Sequence, residues 1–239
     1  MEKRNYGIDL LRVLVMLMVI NLHLLVYGGP SELAAPLSGS YNVLWLLAIA
    51  ADCAVNCFGI ISGYVSYGKP FKPAKLLRLH LTVVLYGVVI TGAVHFLKPE
   101  AVTNFDLLRA IAPICTQSHW FYSVYAVMFL FMPLLSRLVS RCSKEVCNRI
   151  LLTAVVLFSI LPTATGLDFF AIHRGYGLPW MGLLFFTGMY LRKYQTVLYR
   201  KKAGLLILYV GCVAITWGLK LGLELWSLVT QGAPWTPPC

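Results

Sequence analysis

Residues 8–27 read IDLLRVLVMLMVINLHLLVY, and this stretch decides the fold class. Twenty residues of α-helix extend about 30 Å, which is the thickness of the hydrocarbon core of a membrane. Asp9 and Arg12 interrupt the apolar run, and no small-residue cleavage site clearly follows it. We therefore expect a retained first membrane helix and not a cleaved signal peptide.

The composition extends this expectation to the whole chain. Of 239 residues, 59% are hydrophobic and 12% are charged, whereas soluble domains average about 45–50% apolar and about 25% charged residues. Apolar segments of near-spanning length lie at about 8–27, 41–67, 77–97, 120–139, 150–167, 177–191 and 203–225. The sequence predicts an all-α polytopic membrane bundle of about seven transmembrane helices over residues 1–231, followed by an unstructured Pro-rich tail at 232–239.

Two segments contain residues that disturb regular helix. Gly59 and Gly63 lie near the end of the second segment, and we expect them to allow a break in it. Pro133 lies within the fourth segment and predicts a kink. The seven cysteines contain no metal-binding spacing, so we expect free thiols, no metal site and no permanently bound cofactor.

The net charge of +11 is distributed by loop and predicts the topology. Fifteen Lys and Arg residues lie before segment one and between, or at the adjoining ends of, segments two and three, four and five, and six and seven. The alternate loops carry only Lys98, Arg109 and Arg174. This is the positive-inside pattern. It predicts a multi-pass protein of the cell membrane with a cytoplasmic N-terminus and, with seven spans, an outer C-terminus. Because the basic residues form no single stripe with aromatic residues, the charge argues against a nucleic-acid partner.

The first segment carries three ionisable side chains, Asp9, Arg12 and His23. His23 follows Arg12 by eleven positions, so both lie within about 20° of one helix face, roughly 16 Å apart along the axis. Asp9 lies close enough to pair with Arg12. Each has a structural alternative: Arg12 snorkels to lipid phosphates, His23 bonds a backbone carbonyl, and Asp9 favours the helix start. Together on one face, they favour a functional site.

The same stretch carries a family resemblance. GIDLLRVLVMLMVINLH (7–23) resembles the opening of the membrane acyltransferase 3 family, a basic residue followed after ten residues by His. FGIISGY (58–64), SHWFYSVYAVMFLFMPLLSRLV (118–139) and GLLFFTGMYLRK (182–193) resemble later family motifs, in the same order. The resemblance therefore covers most of the chain.

The resemblance implies an O-acyltransferase that moves an acetyl or related acyl group from cytoplasmic acyl-CoA to a hydroxyl of a cell-surface or lipid-linked saccharide. Arg12 then corresponds to the basic residue that anchors CoA, with Lys75 and Arg78 assisting at the phosphates. His23 corresponds to the essential His, either as general base or as a transient carrier of the acyl group.

Three further residues are candidates for binding the acceptor. Ser62 falls in the Ser-Gly-Tyr motif, where packing beside Gly63 is the alternative role. His119 and Trp120 are expected at the outer end of the fourth helix, where they can face the acceptor. For Trp120 the alternative is an interfacial anchor.

Length separates this chain from the family that it resembles. Family members usually have about ten membrane helices, so a C-terminally short chain is expected here. The alternatives are a truncated gene product, a short subfamily, or a fragment whose missing helices are supplied by an oligomer or a partner. Two other functions remain open. The ionisable residues also suit a transporter or channel, and a truncated acyltransferase-like domain also suits a non-catalytic module that binds a small ligand.

Overall fold

A computed structural model describes residues 5–29, 33–116, 118–194 and 202–231; the predicted tail at 232–239 lies outside them. The described residues are helical and include no strand. The α-helices are α1 Tyr6–Leu22, α2 Gly39–Ala51, α3 Ala54–Ser66, α4 Pro73–Leu97, α5 Asn104–Ile111, α6 Trp120–Arg141, α7 Lys144–Val155, α8 Leu161–Thr165, α9 Leu178–Tyr194 and α10 Lys202–Gln231. Single π-helical turns occupy His23–Tyr27 and Val156–Ile160.

The predicted all-α membrane architecture is confirmed. Within the described residues, six helical stretches are long and apolar enough to cross a membrane: Tyr6–Val26, Gly39–Ser66, Pro73–Leu97, Trp120–Arg141, Lys144–Thr165 and Ala203–Thr230. The remaining predicted segment forms α9, which has 17 residues and is therefore about 26 Å long.

The second predicted segment is interrupted at a different place from the one expected. Helices α2 and α3 are separated by Asp52 and Cys53, whereas α3 runs unbroken through Gly59 and Gly63. The expected break at the two glycines is therefore wrong. A Cβ on Gly63 would overlap the Phe185 carbonyl of α9, so this glycine permits close contact between two helix backbones.

The described chain divides into two compact units, Met1–Ile61 with Gln195–Cys239, and Ser62–Tyr194. In the first unit, α2 contacts both α1 and α10. From α10, the Tyr209 hydroxyl donates to the Ala50 carbonyl at 2.6 Å and the Trp217 indole donates to the Asn42 carbonyl at 3.2 Å. The later residue on α10 contacts the earlier residue on α2, so the two helices are antiparallel.

A buried ion pair within α10 lies against α2. Lys220 Nζ lies 2.7 Å from Glu224 Oε1, and both side chains are buried. The Tyr41 hydroxyl donates to the same carboxylate oxygen at 2.7 Å, and the Lys220 ammonium lies 4.0 Å from the centre of the Tyr41 ring and 4.7 Å from that of Trp45. The hydrogen bond from Tyr41 and the cation–π contacts of Lys220 therefore fix α10 against α2, while the ion pair keeps both charges of α10 paired.

In the second unit, the buried core forms where α6, α7 and α9 meet. Its buried members are Val139, Cys147, Phe186, Met189 and Tyr190. The Lys193 ammonium donates to the Val139 and Cys142 carbonyls, each at 2.7 Å. A cation thereby satisfies the carbonyls that the end of α6 leaves without helical partners.

Candidate active site

His23 lies where α1 changes into a π-helical turn. Its Nδ1 is 2.8 Å from the Val19 carbonyl oxygen, and because a carbonyl only accepts, Nδ1 carries the hydrogen. In the neutral imidazole the lone pair then belongs to Nε2. The predicted alternative of a bond to a backbone carbonyl is thus present, and it fixes the tautomer that a general base requires.

The local backbone gives His23 an unusual setting. The Gly28 amide donates to the His23 carbonyl at 3.1 Å, which closes the wider π-helical turn. This turn contacts α2, and the Asn21 amide reaches the Leu47 carbonyl of α2 at 3.4 Å. The His23 side chain remains exposed. Single π-helical turns occur frequently at functional sites, and here one begins at the candidate base.

Arg12 lies on the same continuous helix as His23. The α-helix is regular from Tyr6 to Leu22, so the predicted common face and roughly 16 Å axial separation apply over this stretch. The guanidinium lies 3.6 Å from the Asp9 carboxylate, and both side chains are partly exposed. An exposed pair of this kind contributes little to stability, and a guanidinium has five N–H donors. Arg12 therefore keeps donors for a phosphate.

Lys75 and Arg78 lie in the second unit, in the first two turns of α4, and both are exposed. Their spacing of three residues places them on one helix face. A role of these two cations in phosphate binding stays a prediction.

Ser62 and Gly63 lie on α3 in the second unit. Gly63 is buried and Ser62 is partly buried. Because Gly63 is in close contact with the Phe185 backbone, the Ser-Gly pair has a clear packing role. A role of Ser62 in acceptor binding stays a prediction.

His119 and Trp120 mark the start of α6, and both are exposed. The Trp120 ring makes an edge contact with Tyr176, with ring centres 4.6 Å apart. The His119 carbonyl accepts the Ser123 amide at 3.0 Å. The helix start therefore holds a pair of exposed rings, of which Trp120 is fixed by an aromatic neighbour.

A histidine that sequence analysis did not single out connects two of these regions. His80 Nδ1 lies 2.7 Å from the Tyr122 hydroxyl, and the rings are stacked with an interplanar angle of 23°. His80 follows Arg78 by two residues and Tyr122 follows Trp120 by two residues. The charge pattern predicted Arg78 and Trp120 on opposite sides of the membrane. The contact between His80 and Tyr122 instead joins the N-terminal parts of α4 and α6, which carry Arg78 and Trp120.

Sequence analysis also did not identify Lys220 and Glu224 as a pair. Their spacing of four residues in an apolar helix is the signal that identifies them, because intramembrane charges tend to be paired. Tyr41 and Trp45 could not be assigned to the pair without the structure, since α2 lies far away in sequence.

Comparisons with known proteins extend over this whole arrangement. A sequence model of a family described as an acyltransferase domain matches residues 5–237. Two proteins of Streptococcus pneumoniae, from strains R6 and TIGR4 and both named "Probable multidrug resistance protein NorM", are each 26% identical over 165 residues. The match covers 61% of this chain and 34% of each relative, so the chain spans about a third of their length. No solved structure matches this chain at a significant level.

Proposed function

We propose, from the premise that this chain belongs to the acyltransferase domain family, that it transfers an acyl group from acyl-CoA to a hydroxyl of a cell-surface or lipid-linked saccharide. The family and the membrane helices make the protein a membrane acyltransferase in general terms. The observation that carries the finer proposal is the hydrogen bond from His23 Nδ1 to the Val19 carbonyl, because it orients a basic Nε2 within a membrane helix.

In this mechanism Arg12 binds CoA phosphates at the cytoplasmic mouth. Lys75 and Arg78 stay candidates for phosphate binding within the second unit. The pantetheine arm of CoA is a long thin chain of the same order as the roughly 16 Å between Arg12 and His23. The thioester then reaches the imidazole while the phosphates stay at the mouth. This accounts for one basic residue and one His on a single helix face.

The chemistry at His23 balances without another reactant. Nε2 accepts the proton of the acceptor hydroxyl as its oxygen attacks the thioester carbonyl, and the C–S bond then breaks. The imidazolium returns its proton to the departing CoA thiolate. In the alternative route Nε2 attacks the thioester carbonyl, the C–S bond breaks, and the CoA thiolate leaves an acyl-imidazole on His23. The acceptor hydroxyl then attacks the acyl group, its proton passes to the CoA thiolate, and the imidazole is restored. A labelled acyl group retained on the protein in the absence of acceptor distinguishes the second route from the first.

The proposal is tested with cells that express the wild-type chain, His23→Ala or His95→Ala. His95 is an exposed histidine in another membrane helix, α4, and has no proposed role, so it is the matched control. We expect alkali-releasable acetate on surface glycans with the wild type and His95→Ala, and its loss with His23→Ala. Equal acetate from His23→Ala, at equal membrane abundance, contradicts the mechanism.

A transporter is the second candidate function. It is favoured by the similarity to multidrug resistance proteins and by the ion pair Lys220–Glu224 buried in a membrane helix, because such groups often line solute pathways. The family match over nearly the whole chain favours acyl transfer. Depletion of cytoplasmic acyl-CoA separates the two, since it stops acyl transfer and leaves transport unaffected.

We further propose that the protein resides in the cell membrane with its N-terminus in the cytoplasm, where acyl-CoA is available. The clustering of Lys and Arg in alternate loops supports this orientation. The lipid bilayer, acyl-CoA and a saccharide acceptor are then the partners of the bundle.

A further inference from the structure

The second unit contains a cavity of about 790 Å³ between the π-helical turn Val156–Ile160, the loop after α8 and the start of α9. Its volume lies in the range of small-molecule sites, about 300–1,000 Å³. Aromatic, hydroxyl and charged side chains line it together. They include Phe158, Ser159, Asp168, His173, Arg174 and Trp180.

One wall of the cavity is built from an irregular helix. Phe158 and Ser159 belong to the π-helical turn, and Pro162 follows shortly after it. Proline cannot donate a backbone hydrogen bond and crowds the carbonyl four residues earlier, which explains why the helix widens here. The wider turn presents Phe158 and Ser159 to the cavity, and such turns are common at functional sites.

A second part of the lining is a loop in an uncommon backbone conformation. Ala171, His173 and Arg174 have φ values of +51°, +49° and +57°, which are uncommon outside glycine. Residues held in this region cluster at ligand sites, where the surrounding structure maintains them. His173 and Arg174 line the cavity, and Ala171 lies in the same loop, so a loop held in this uncommon conformation contributes to the cavity lining.

Asp168 maintains this loop. Its two carboxylate oxygens accept the amides of Ile172 and His173, each at 2.7 Å. These backbone N–H groups hold the pKa of the Asp168 carboxyl below its usual range. The carboxylate therefore closes the turn that carries His173 and Arg174 at the cavity wall.

We propose that this cavity is the subsite that binds the saccharide of the acceptor. A sugar ring has an apolar face and an edge of hydroxyl groups. The Trp180 indole suits the face, while Ser159, His173 and Arg174 supply hydrogen-bonding groups for the edge. The charge pattern predicts this loop outside the cytoplasm, where surface saccharides occur. The inference rests on the proposed acyl transfer and adds the place of acceptor recognition.

The test compares Trp180→Ala with Trp226→Ala, since Trp226 is exposed on α10 in the first unit. Membranes of each variant are given labelled acetyl-CoA and the isolated surface glycan fraction of the expressing cells. Removing a central aromatic contact weakens binding strongly, so we expect Trp180→Ala to raise the KM for glycan about tenfold. The KM for acetyl-CoA should stay unchanged, which also shows that the variant is folded. Trp180→Phe, which keeps an apolar ring, should recover part of the loss.

A glycan KM in Trp180→Ala equal to that in Trp226→Ala overturns the subsite. If the wild type transfers no acetyl group at all, the proposed function fails, and binding of the glycan fraction to the purified proteins in bilayers decides the subsite alone. Binding by the wild type and Trp226→Ala but not by Trp180→Ala then supports it. Equal binding, or none, by all three proteins overturns it.

Discussion

At the scale of single residues, different interactions orient the candidate base His23 and the candidate CoA anchor Arg12. The 2.8 Å contact between His23 Nδ1 and the Val19 carbonyl selects a tautomer, whereas Arg12 makes only a longer ionic contact with Asp9 at 3.6 Å. His23 is therefore oriented before any substrate binds. Arg12 remains adaptable, as suits a residue that binds a mobile phosphate tail.

We expect Arg12→Ala to raise the KM for acyl-CoA about ten- to a hundredfold, with a smaller change in kcat. The reason is the loss of charge-assisted hydrogen bonds worth about 1.5–3 kcal/mol, at about 1.4 kcal/mol per factor of ten. Steady-state kinetics in membranes measure the change, and Arg12→Lys should recover part of it because charge remains without the planar fork.

The control for this prediction uses an altered acyl-CoA with the same two proteins. If Arg12 contacts the ribose phosphate of CoA, an acyl-CoA without that phosphate should bind the wild type more weakly than intact acyl-CoA does. Arg12→Ala should bind the two donors about equally. An unchanged KM in Arg12→Ala would favour the alternative in which Arg12 snorkels to lipid phosphates.

The spacing of Arg12 and His23 was readable from sequence, since it depends only on helix geometry. The hydrogen bond to Val19 was open in sequence as one of two roles for His23, and the structure shows that it is compatible with the other. His80 was not identifiable, because its partner Tyr122 lies 42 residues away and no local pattern joins them. Residues whose role depends on contact between distant helices are those that sequence reasoning missed.

At the scale of elements, apolar segments predicted the helices well because membrane thickness fixes their length. The glycines of the second segment show where such reasoning fails. Glycine lowers helix propensity in water, so a break was expected. In a membrane helix the missing side chain instead lets α3 approach the Phe185 backbone of α9. Whether such a glycine breaks its helix or permits close packing depends on the neighbouring helix, here α9, which the sequence of α3 does not specify.

The pairing of α2 with α10 leads to a stability prediction. Lys220→Met or Glu224→Gln should each lower the free energy of unfolding by about 3–5 kcal/mol, because each leaves a buried polar group without its partner. The double variant Lys220→Met with Glu224→Gln should lose less than the two single changes together. Unfolding of the purified protein in mixed micelles measures all three.

Leu219→Met is the matched control, since Leu219 is exposed on the same helix and such a swap is mild. Strict additivity of the two single changes would show that Lys220 and Glu224 do not stabilise each other. Tyr41→Phe tests the third member of the cluster and should cost about 1 kcal/mol, the usual net worth of one hydrogen bond.

At the scale of the whole molecule, the number of spans depends on α9. Its 17 residues extend about 26 Å, slightly less than a typical hydrocarbon core. Eight of its residues are buried within the protein, in contrast to α4, which has none. A helix enclosed by its neighbours meets little lipid, so its composition and length carry less information about membrane crossing than those of an exposed helix.

Reporter fusions on either side of α9 test the predicted seven-span topology. Alkaline phosphatase fused after Gly166 should be active and green fluorescent protein fused there should be dark, because phosphatase folds outside the cytoplasm. After Tyr194 the two signals should reverse, since the basic residues that end α9 favour the cytoplasm. A C-terminal fusion should again behave as outer. The same signal after Gly166 and after Tyr194 would show that α9 does not cross, and the C-terminal fusion would then report a cytoplasmic end.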